Sequence, residues 1–416
     1  MNNNHLQVSN LGEKKLIERI IEKSKNLYNE SKEGFLKDEC NDFYIGDDST
    51  LINLIADYST LNKNNYNNSH NNSYNNSYNN SYLVASTDLL IEKSHFPKEM
   101  SYFQMGKKAV TVNVSDLAAM GAKPIGILIS LAIPSELKLK FFDELIDGIL
   151  DACSYYKIPL LGGDTNQSEE VIISGTALGE VKKEKTLFKA GFEDGDLIAI
   201  TGPIGLAALG FEIFNSKISS KSIKKSLDNH EVHRNLMDYE VHKKNMDYEA
   251  HKNNMDYEIP SDIVDLAIDK VLNPIAKLNE GIILSGFASS ATDITDGLAS
   301  ELYELFNANK NKNPDSKLGM IIYENKLPIL DEISEISEIL NVNPLDLILH
   351  TGEDFELLFT IKKDNLDKLY QLNKINKNKF DFYIIGEINN KDTVEINDLN
   401  GNFKKLSSKG YEHLSK

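Results

Sequence analysis

Residues 108–124 read Lys108-Ala-Val-Thr-Val-Asn-Val-Ser-Asp-Leu-Ala-Ala-Met-Gly-Ala-Lys-Pro124. Val110, Val114 and Leu117 recur at i, i+4 and i+7, the apolar stripe of a helix with a buried face. Asn113 and Asp116, three residues apart, share a different face. Gly121 and Pro124 stop the pattern, so a helix is predicted over Tyr102 to Met120. Working outward, Leu83-Val-Ala-Ser-Thr-Asp88 reads as a strand ending in a carboxylate. A second helix is predicted from about Glu136 to Tyr156, then strands over Ile158–Leu161 and Val171–Leu178. Helices alternating with strands give a layered α/β (α+β) class; strand order is not readable from the pattern.

Beyond a polar, Gly-containing stretch at Gly179–Asp196, a second α/β half opens with Leu197-Ile-Ala-Ile-Thr201, a Gly202-Pro-Ile-Gly205 turn and a helix from Leu206. Helices near Asp262–Leu272, Pro274–Ser285 and from Leu298 follow, with strands at Phe355–Ile361 and Phe380–Gly386. Two domains are therefore expected, 1–181 and 182–416. Each carries an insertion. Residues 61–82 are dominated by Asn-Asn-Ser-Tyr and are too polar to pack. Their flanks, Leu51–Ala56 and Leu83–Thr87, read as the two strands of a hairpin with a swollen turn. Residues 217–259 hold three nine-residue repeats, one beginning Glu231-Val-His-Arg. His233, His242 and His251 would alternate between opposite faces of a helix, which favours a solvated repeat over a metal site.

The chain has 416 residues, 41% hydrophobic, with a net charge of −18. That charge argues against nucleic acid or an anionic membrane as partner. It does not exclude nucleotides whose charge is masked by metal ions. Cys40 and Cys153 stand in unrelated contexts, as expected of reduced thiols. The N-terminus lacks a signal-peptide pattern, and no apolar run approaches the roughly 18 residues of a membrane span. A cytoplasmic protein is the expectation.

The chemistry lies in scattered aspartates: Asp48 in Gly46-Asp-Asp, Asp88 in Ser86-Thr-Asp, Asp116 in Val114-Ser-Asp, Asp164 in Gly162-Gly-Asp-Thr, and Asp293 with Asp296 in Asp-Ile-Thr-Asp-Gly. Any one of them alone reads as a helix cap or turn former. Gathered together they would repel unless cations lay between them. Mg²⁺ takes such oxygen ligands and bridges carboxylates to phosphates, so the set suggests phosphoryl transfer assisted by several Mg²⁺ ions. Gly162-Gly163 before Asp164 would let backbone N–H groups approach a phosphate. The P-loop, protein-kinase, Gly-x-Ser-x-Gly and His-Glu-x-x-His signatures are all missing from the sequence.

Taken in order, Gly46-Asp-Asp, Ser86-Thr-Asp-Leu-Leu-Ile-Glu-Lys-Ser-His-Phe96, the 108–124 segment, Gly162-Gly-Asp-Thr, Asp293-Ile-Thr-Asp-Gly and Gly352-Glu-Asp-Phe-Glu-Leu-Leu-Phe-Thr360 resemble the thiamine-monophosphate kinases. These belong to the aminoimidazole ribonucleotide synthetase-like superfamily. The resemblance runs from about Leu11 to His413, apart from the insertions. It implies a two-domain fold whose N-terminal strands pair across a homodimer. It implies ATP-dependent phosphorylation of thiamine monophosphate to thiamine diphosphate in thiamine diphosphate biosynthesis, with ATP as co-substrate and several Mg²⁺ ions per site. By motif it assigns Asp48, Ser86, Thr87, Asp88, Asp116, Asp164, Asp293 and Asp296 to metal binding. Gly163, Asp164, Lys189 and Thr295 fall to ATP, and His95, Glu353 and Tyr411 to the thiamine substrate. No residue is assigned as nucleophile or general base.

Three positions depart from the family pattern. Thr351 stands for the first Gly of Gly-Gly-Glu-Asp, Asn166-Gln167 for a usual Thr-Arg, and Lys189 for an Arg whose bidentate fork it cannot reproduce. A sister enzyme of the superfamily and a non-catalytic nucleotide-binding module are the alternatives. The chain lacks the N-terminal or C-terminal Cys that selenium or carbamoyl handling would suggest, and it retains the aspartates that such a module could lose.

Overall fold

The computed structural model describes residues 49–53, 80–215, 261–375, 381–408 and 410. Asp48, Tyr411, the three repeat histidines and nearly all of the Asn/Ser/Tyr-rich insertion lie outside the described residues. A first sheet comprises β1 (Thr50–Asn53), β2 (Ser81–Ile91), β3 (Lys123–Ile133), β4 (Leu160–Gly162), β5 (Thr165–Gln167) and β6 (Ile172–Lys182). Its order is β1-β2-β6-β3-β4, with β5 also on β3. β1 pairs antiparallel with β2, Thr50 opposite Ala85 and Asn53 opposite Tyr82. The pairing is that of the hairpin expected on either side of the insertion. Along β2, Val84, Ser86 and Leu90 turn inward while Thr87 and Leu89 turn outward, the period-two alternation of a pleated strand.

After a short helix α1 (Glu92–His95), α2 (Tyr102–Ala119) packs on this sheet. Ser101 and Gln104 form a capping box at its N-terminus. The predicted apolar stripe is buried, and so is most of the rest of α2, because it also touches β8 (Ala288–Asp293) and α6 (Leu278–Leu284) of the second half. α3 (Leu139–Tyr156) lies beside it. α3 starts three residues later than the sequence predicted. Pro134–Leu137 instead forms a turn, with the Leu137 N–H on the Pro134 carbonyl at 3.1 Å, and extended Lys138 is the N-cap. β4 likewise begins after Pro159, which has no N–H to give a ladder; its carbonyl accepts from Ile127 at 3.0 Å. β3 was not anticipated. It runs directly out of the helix stop and turns Ile127, Ile129 and Leu131 into the core.

The second sheet holds β7 (Leu197–Ile200), β8, β9 (Gly319–Tyr323), β10 (Leu357–Ile361), β11 (Tyr383–Asn389), β12 (Val394–Asn397) and β13 (Phe403–Lys405). Its order is β13-β12-β9-β11-β7-β10-β8, antiparallel except for β12 on β9. α4 (Leu206–Asn215), α5 (Ser261–Leu272), α7 (Leu298–Lys312), α8 (Asp331–Leu340), α9 (Pro344–His350) and α10 (Lys363–Ile375) accompany it. The helix predicted from Pro274 is shorter, beginning at Leu278 in α6. One apolar cluster joins Leu117 of α2, Leu284 of α6, Ala291 of β8 and Phe359 of β10, so the two sheets share a core around α2. Truncating a fully buried member such as Leu117 costs about 2–5 kcal/mol by transfer and cavity terms. Among the described residues no helix is long and apolar enough to cross a membrane.

Candidate active site

The aspartates converge on α2 through hydroxyl groups. Ser86 of β2 faces the helix and donates its Oγ–H to Asp116 Oδ2. The next-but-one residue, Asp88, lies on the same sheet face by strand alternation. Burial pushes its carboxyl up to about 6, since charge is disfavoured there. One residue before Asp116, Ser115 donates to Asp293 Oδ2 at the end of β8. Asp293 is 3% exposed. α2 thus bonds to a hydroxyl of the first sheet through Asp116 and to the carboxylate at the end of β8 through Ser115.

Thr87 stands on the opposite face of β2. Its Oγ1 donates to the Gly175 carbonyl at 2.7 Å and lies 3.1 Å from Thr176 Oγ1. Asp164 is exposed between β4 and β5, and its carbonyl accepts from Leu131 at 2.8 Å. Gly163 has a structural reason to lack a side chain, because a Cβ would come 1.6 Å from the Ile129 carbonyl oxygen. Beside this loop a cavity of about 310 Å³ is lined by Ile133, Pro134, Leu139, Phe142, Asn166 and Gln167, so the Asn-Gln departure faces open space. Among the described residues no three His, Cys, Asp or Glu side chains are close enough together to hold a metal ion. Asp116 and Asp293 are instead each paired with a serine hydroxyl.

In the Asp293–Gly297 loop the N-cap of α7 is Gly297, with φ +109 and no side-chain cap, so neither aspartate serves as the cap. The Asp296 N–H donates to Glu301 Oε1 at 3.2 Å. The Thr295 carbonyl accepts from Glu353 N–H at 2.9 Å, and the Ile294 carbonyl from Phe355 N–H at 3.0 Å. The 352–355 segment is thereby zipped to the loop that carries Asp293 and Asp296. Gly352 fits because a Cβ there would meet the Thr295 carbonyl oxygen at 1.7 Å. Thr351 has φ −113 and ψ 135, an extended conformation open to any residue. Its replacement of glycine therefore imposes no strain. The left-handed backbone falls instead at Glu353 (φ +67) and Phe355 (φ +51), a strained arrangement of the kind that clusters at functional sites.

Sequence reasoning left Lys108 without a role. It is 1% exposed, and its Nζ donates to Glu353 Oε1 at 2.6 Å and to the His95 carbonyl at 2.8 Å. The His95 ring turns back on its own chain, with Nδ1 3.0 Å from Ile91 N. Lys189 is 3.8 Å from Glu304 of α7. Tyr411 lies outside the described residues, while its neighbour Gly410 packs on the 293–297 loop, where a Cβ would come 2.7 Å from the Asp296 carbonyl oxygen. Asp354 and Glu356 were also unassigned. Asp354 is wholly buried, and its Oδ1 accepts from Gly205 N–H at 3.0 Å. Burial pushes its carboxyl up to about 7, against the pull of Lys270. For Glu356 burial acts upward too, but the Lys277 and Lys270 ammonium groups outweigh it and lower the pKa.

This arrangement of two sheets around one buried helix defines a class. Residues 72–181 match the family described as AIR synthase related protein, N-terminal domain. The thiamine-monophosphate kinase of Pyrococcus abyssi (strain GE5 / Orsay) is 32% identical over 335 residues, 80% of this chain and 86% of that protein. The thiamine-monophosphate kinase of Buchnera aphidicola subsp. Acyrthosiphon pisum (strain APS) is 34% identical over 339 residues, 80% and 87%. The solved structure of AaThiL complexed with AMPPCP and TMP matches with a TM-score of 0.67 and 25% identity, covering 99% of each chain. The chain belongs to the thiamine-monophosphate kinase family.

Proposed function

We propose that this protein transfers the γ-phosphoryl group of ATP directly to the terminal phosphate of thiamine monophosphate, giving thiamine diphosphate and ADP. The observation that carries the reading is what gathers on α2: its Asp116 accepts from Ser86 of β2, its Ser115 donates to Asp293 of β8, and its Lys108 donates to Glu353. Family membership and the likeness to AaThiL complexed with AMPPCP and TMP support the choice of substrates.

The donor set suits Mg²⁺. It is entirely oxygen, and Mg²⁺ needs only one or two protein carboxylates together with substrate phosphates and water, so single carboxylates with neighbouring hydroxyls suffice. Asp88, Asp116, Asp164, Asp293 and Asp296, with Asp48 and Ser86, would hold the ions, and Thr87, whose side chain faces the other way, could join them only through its main-chain oxygen. Bound there, Mg²⁺ supplies charge neutralisation and alignment of phosphate oxygens. A bond forms between a thiamine monophosphate oxygen and the γ-phosphorus, and the γ-phosphorus bond to the β-bridging oxygen breaks. The electron pair leaves with ADP. The attacking oxygen is already anionic, so no side chain need remove a proton, and the aspartates hold and orient without acting as nucleophiles. Gly163, Asp164, Lys189 and Thr295 would contact ATP, and His95, Glu353 and Tyr411 the thiamine moiety.

The protein would act in the cytoplasm, through domains divided near residues 181–182, as a homodimer. The exposed Leu89 and Leu128 lie on the outward face of the first sheet, joined across strands through Ser174–Ser130 and Thr87–Thr176. This face of leucines, serines and threonines would be covered by a second copy. The test of function is ADP release with and without thiamine monophosphate, with the product identified. ADP and thiamine diphosphate formed together uphold the proposal, and ATP binding without that product overturns it.

A further inference from the structure

Lys108, Thr111 and Ser115 are spaced i, i+3 and i+7 on α2 and so share one face. All three are buried, and each is bonded to the second half. Lys108 reaches Glu353, Thr111 Oγ1 donates to the Pro274 carbonyl at 3.3 Å, and Ser115 reaches Asp293. Apolar residues would join the halves at least as firmly, because a buried ion pair gains little over a hydrophobic contact of the same volume. What an apolar residue cannot do is fix two polar groups relative to one another. Lys108 touches both segments assigned to the substrate, through the His95 carbonyl and the Glu353 carboxylate. The Phe96 ring lies 5.9 Å from its ammonium.

Glu353 is held at both ends, its backbone by Thr295 and its Oε1 by Lys108. Its Oε2 is buried with no hydrogen-bond partner among the described residues. A buried acceptor left in this state calls for an explanation.

We propose that Lys108 is a positioning residue that sets the spacing of His95 and Glu353 and so determines affinity for the amine-bearing thiamine substrate, leaving ATP affinity alone. This rests on the function proposed above. A donor carried by that substrate would complete the Glu353 carboxylate, whose orientation Lys108 fixes.

The experiment measures KM for thiamine monophosphate and for ATP in the wild type, Lys108→Met, Lys108→Arg, Glu353→Gln and the double variant Lys108→Met/Glu353→Gln, with melting temperatures as the folding check. Losing a charged hydrogen bond predicts a rise of about tenfold or more in KM for thiamine monophosphate in Lys108→Met. KM for ATP should stay within about twofold, and Lys108→Arg should recover part of the loss. The double variant removes both charges of the pair, so it keeps the test alive if Lys108→Met alone fails to fold; it should be no worse than Glu353→Gln. Both KM values unchanged, both rising together, or losses that multiply in the double variant would overturn the proposal. Calorimetric titration with thiamine monophosphate separates this claim from the functional one. If the wild type binds but does not turn over, the function fails, and weaker binding by Lys108→Met still upholds the positioning role. Equal binding, or no binding by the wild type, overturns it.

Discussion

A Gly352→Ala substitution would set a methyl carbon 1.7 Å from the Thr295 carbonyl oxygen, 2.4 Å from its carbon and 2.8 Å from Asp296 Cα. Cβ atoms essentially never approach backbone closer than 3.0 Å, so the two segments must separate by at least about 1.3 Å. No flexible side chain stands between them to absorb the shift. The Glu353 N–H to Thr295 bond, now 2.9 Å, would open beyond hydrogen-bonding reach, and the Phe355 to Ile294 bond at 3.0 Å would strain with it. Each buried backbone group left unpaired costs about 1–3 kcal/mol. With the N–H and the carbonyl both unpaired, the variant should lose roughly 2–6 kcal/mol of stability, read by urea titration. Moving Glu353 by an ångström relative to Asp293 and Asp296 predicts a loss of about 100-fold in kcat/KM for thiamine monophosphate in the protein that remains folded. Thr351→Gly is the matched control. The backbone at Thr351 is ordinary (φ −113, ψ 135), so that change should cost no more than about 1 kcal/mol, through the entropy of the unfolded chain. A Gly352→Ala variant with turnover within threefold of wild type and unchanged stability would refute the reasoning.

The pKa of Asp354 is raised by burial to about 7, so its protonated form stabilises the native state below the unfolded value, and that contribution is lost as pH rises through about 7. Asp354→Asn keeps an acceptor for the Gly205 N–H without titrating; its melting temperature relative to wild type should climb between pH 5 and 8, and a constant difference would contradict this. Asp88, pushed up to about 6, must lose its proton to bind a cation. The Mg²⁺ concentration for half-maximal turnover should therefore rise as pH falls below about 6, more steeply than in Asp88→Asn, whereas parallel profiles would remove Asp88 from the metal site. Leu89→Glu with Leu128→Glu puts charge on the outward face of the first sheet; sedimentation should show a dimer for the wild type and a monomer for this variant, and a wild-type monomer would remove the dimer from the proposal.

Much of the frame around α2 was legible because short-range patterns specify it. Val110, Val114 and Leu117 repeat at helical spacing, and Gly121 with φ +67 ends the run. β2 was read from its apolar run at Leu83–Ala85, and its pairing with β1 from the two strands flanking the insertion. β3 escaped because Pro124 was read only as the end of a helix, while Ile125–Ile133 is a nearly continuous apolar run whose residues carry little periodicity. The aspartate motifs were visible, but their partners were not. Lys108 and Glu353 are 245 positions apart, and Ser115 and Asp293 are 178 apart, distances over which no local pattern carries information. Nor does any sequence rule give a left-handed backbone to Glu353 and Phe355, which are neither Gly nor Asn. The fold imposes it by zipping residues 353–355 to 294–295.

The most direct test is an assay of the purified protein with ATP and Mg²⁺, following ADP and identifying the phosphorylated product, with thiamine monophosphate present or withheld. The account predicts ADP only when thiamine monophosphate is present, matched one to one by thiamine diphosphate, and no phospho-aspartate on the protein. ADP formed without that product, or a phosphorylated aspartate trapped on the chain, would contradict it.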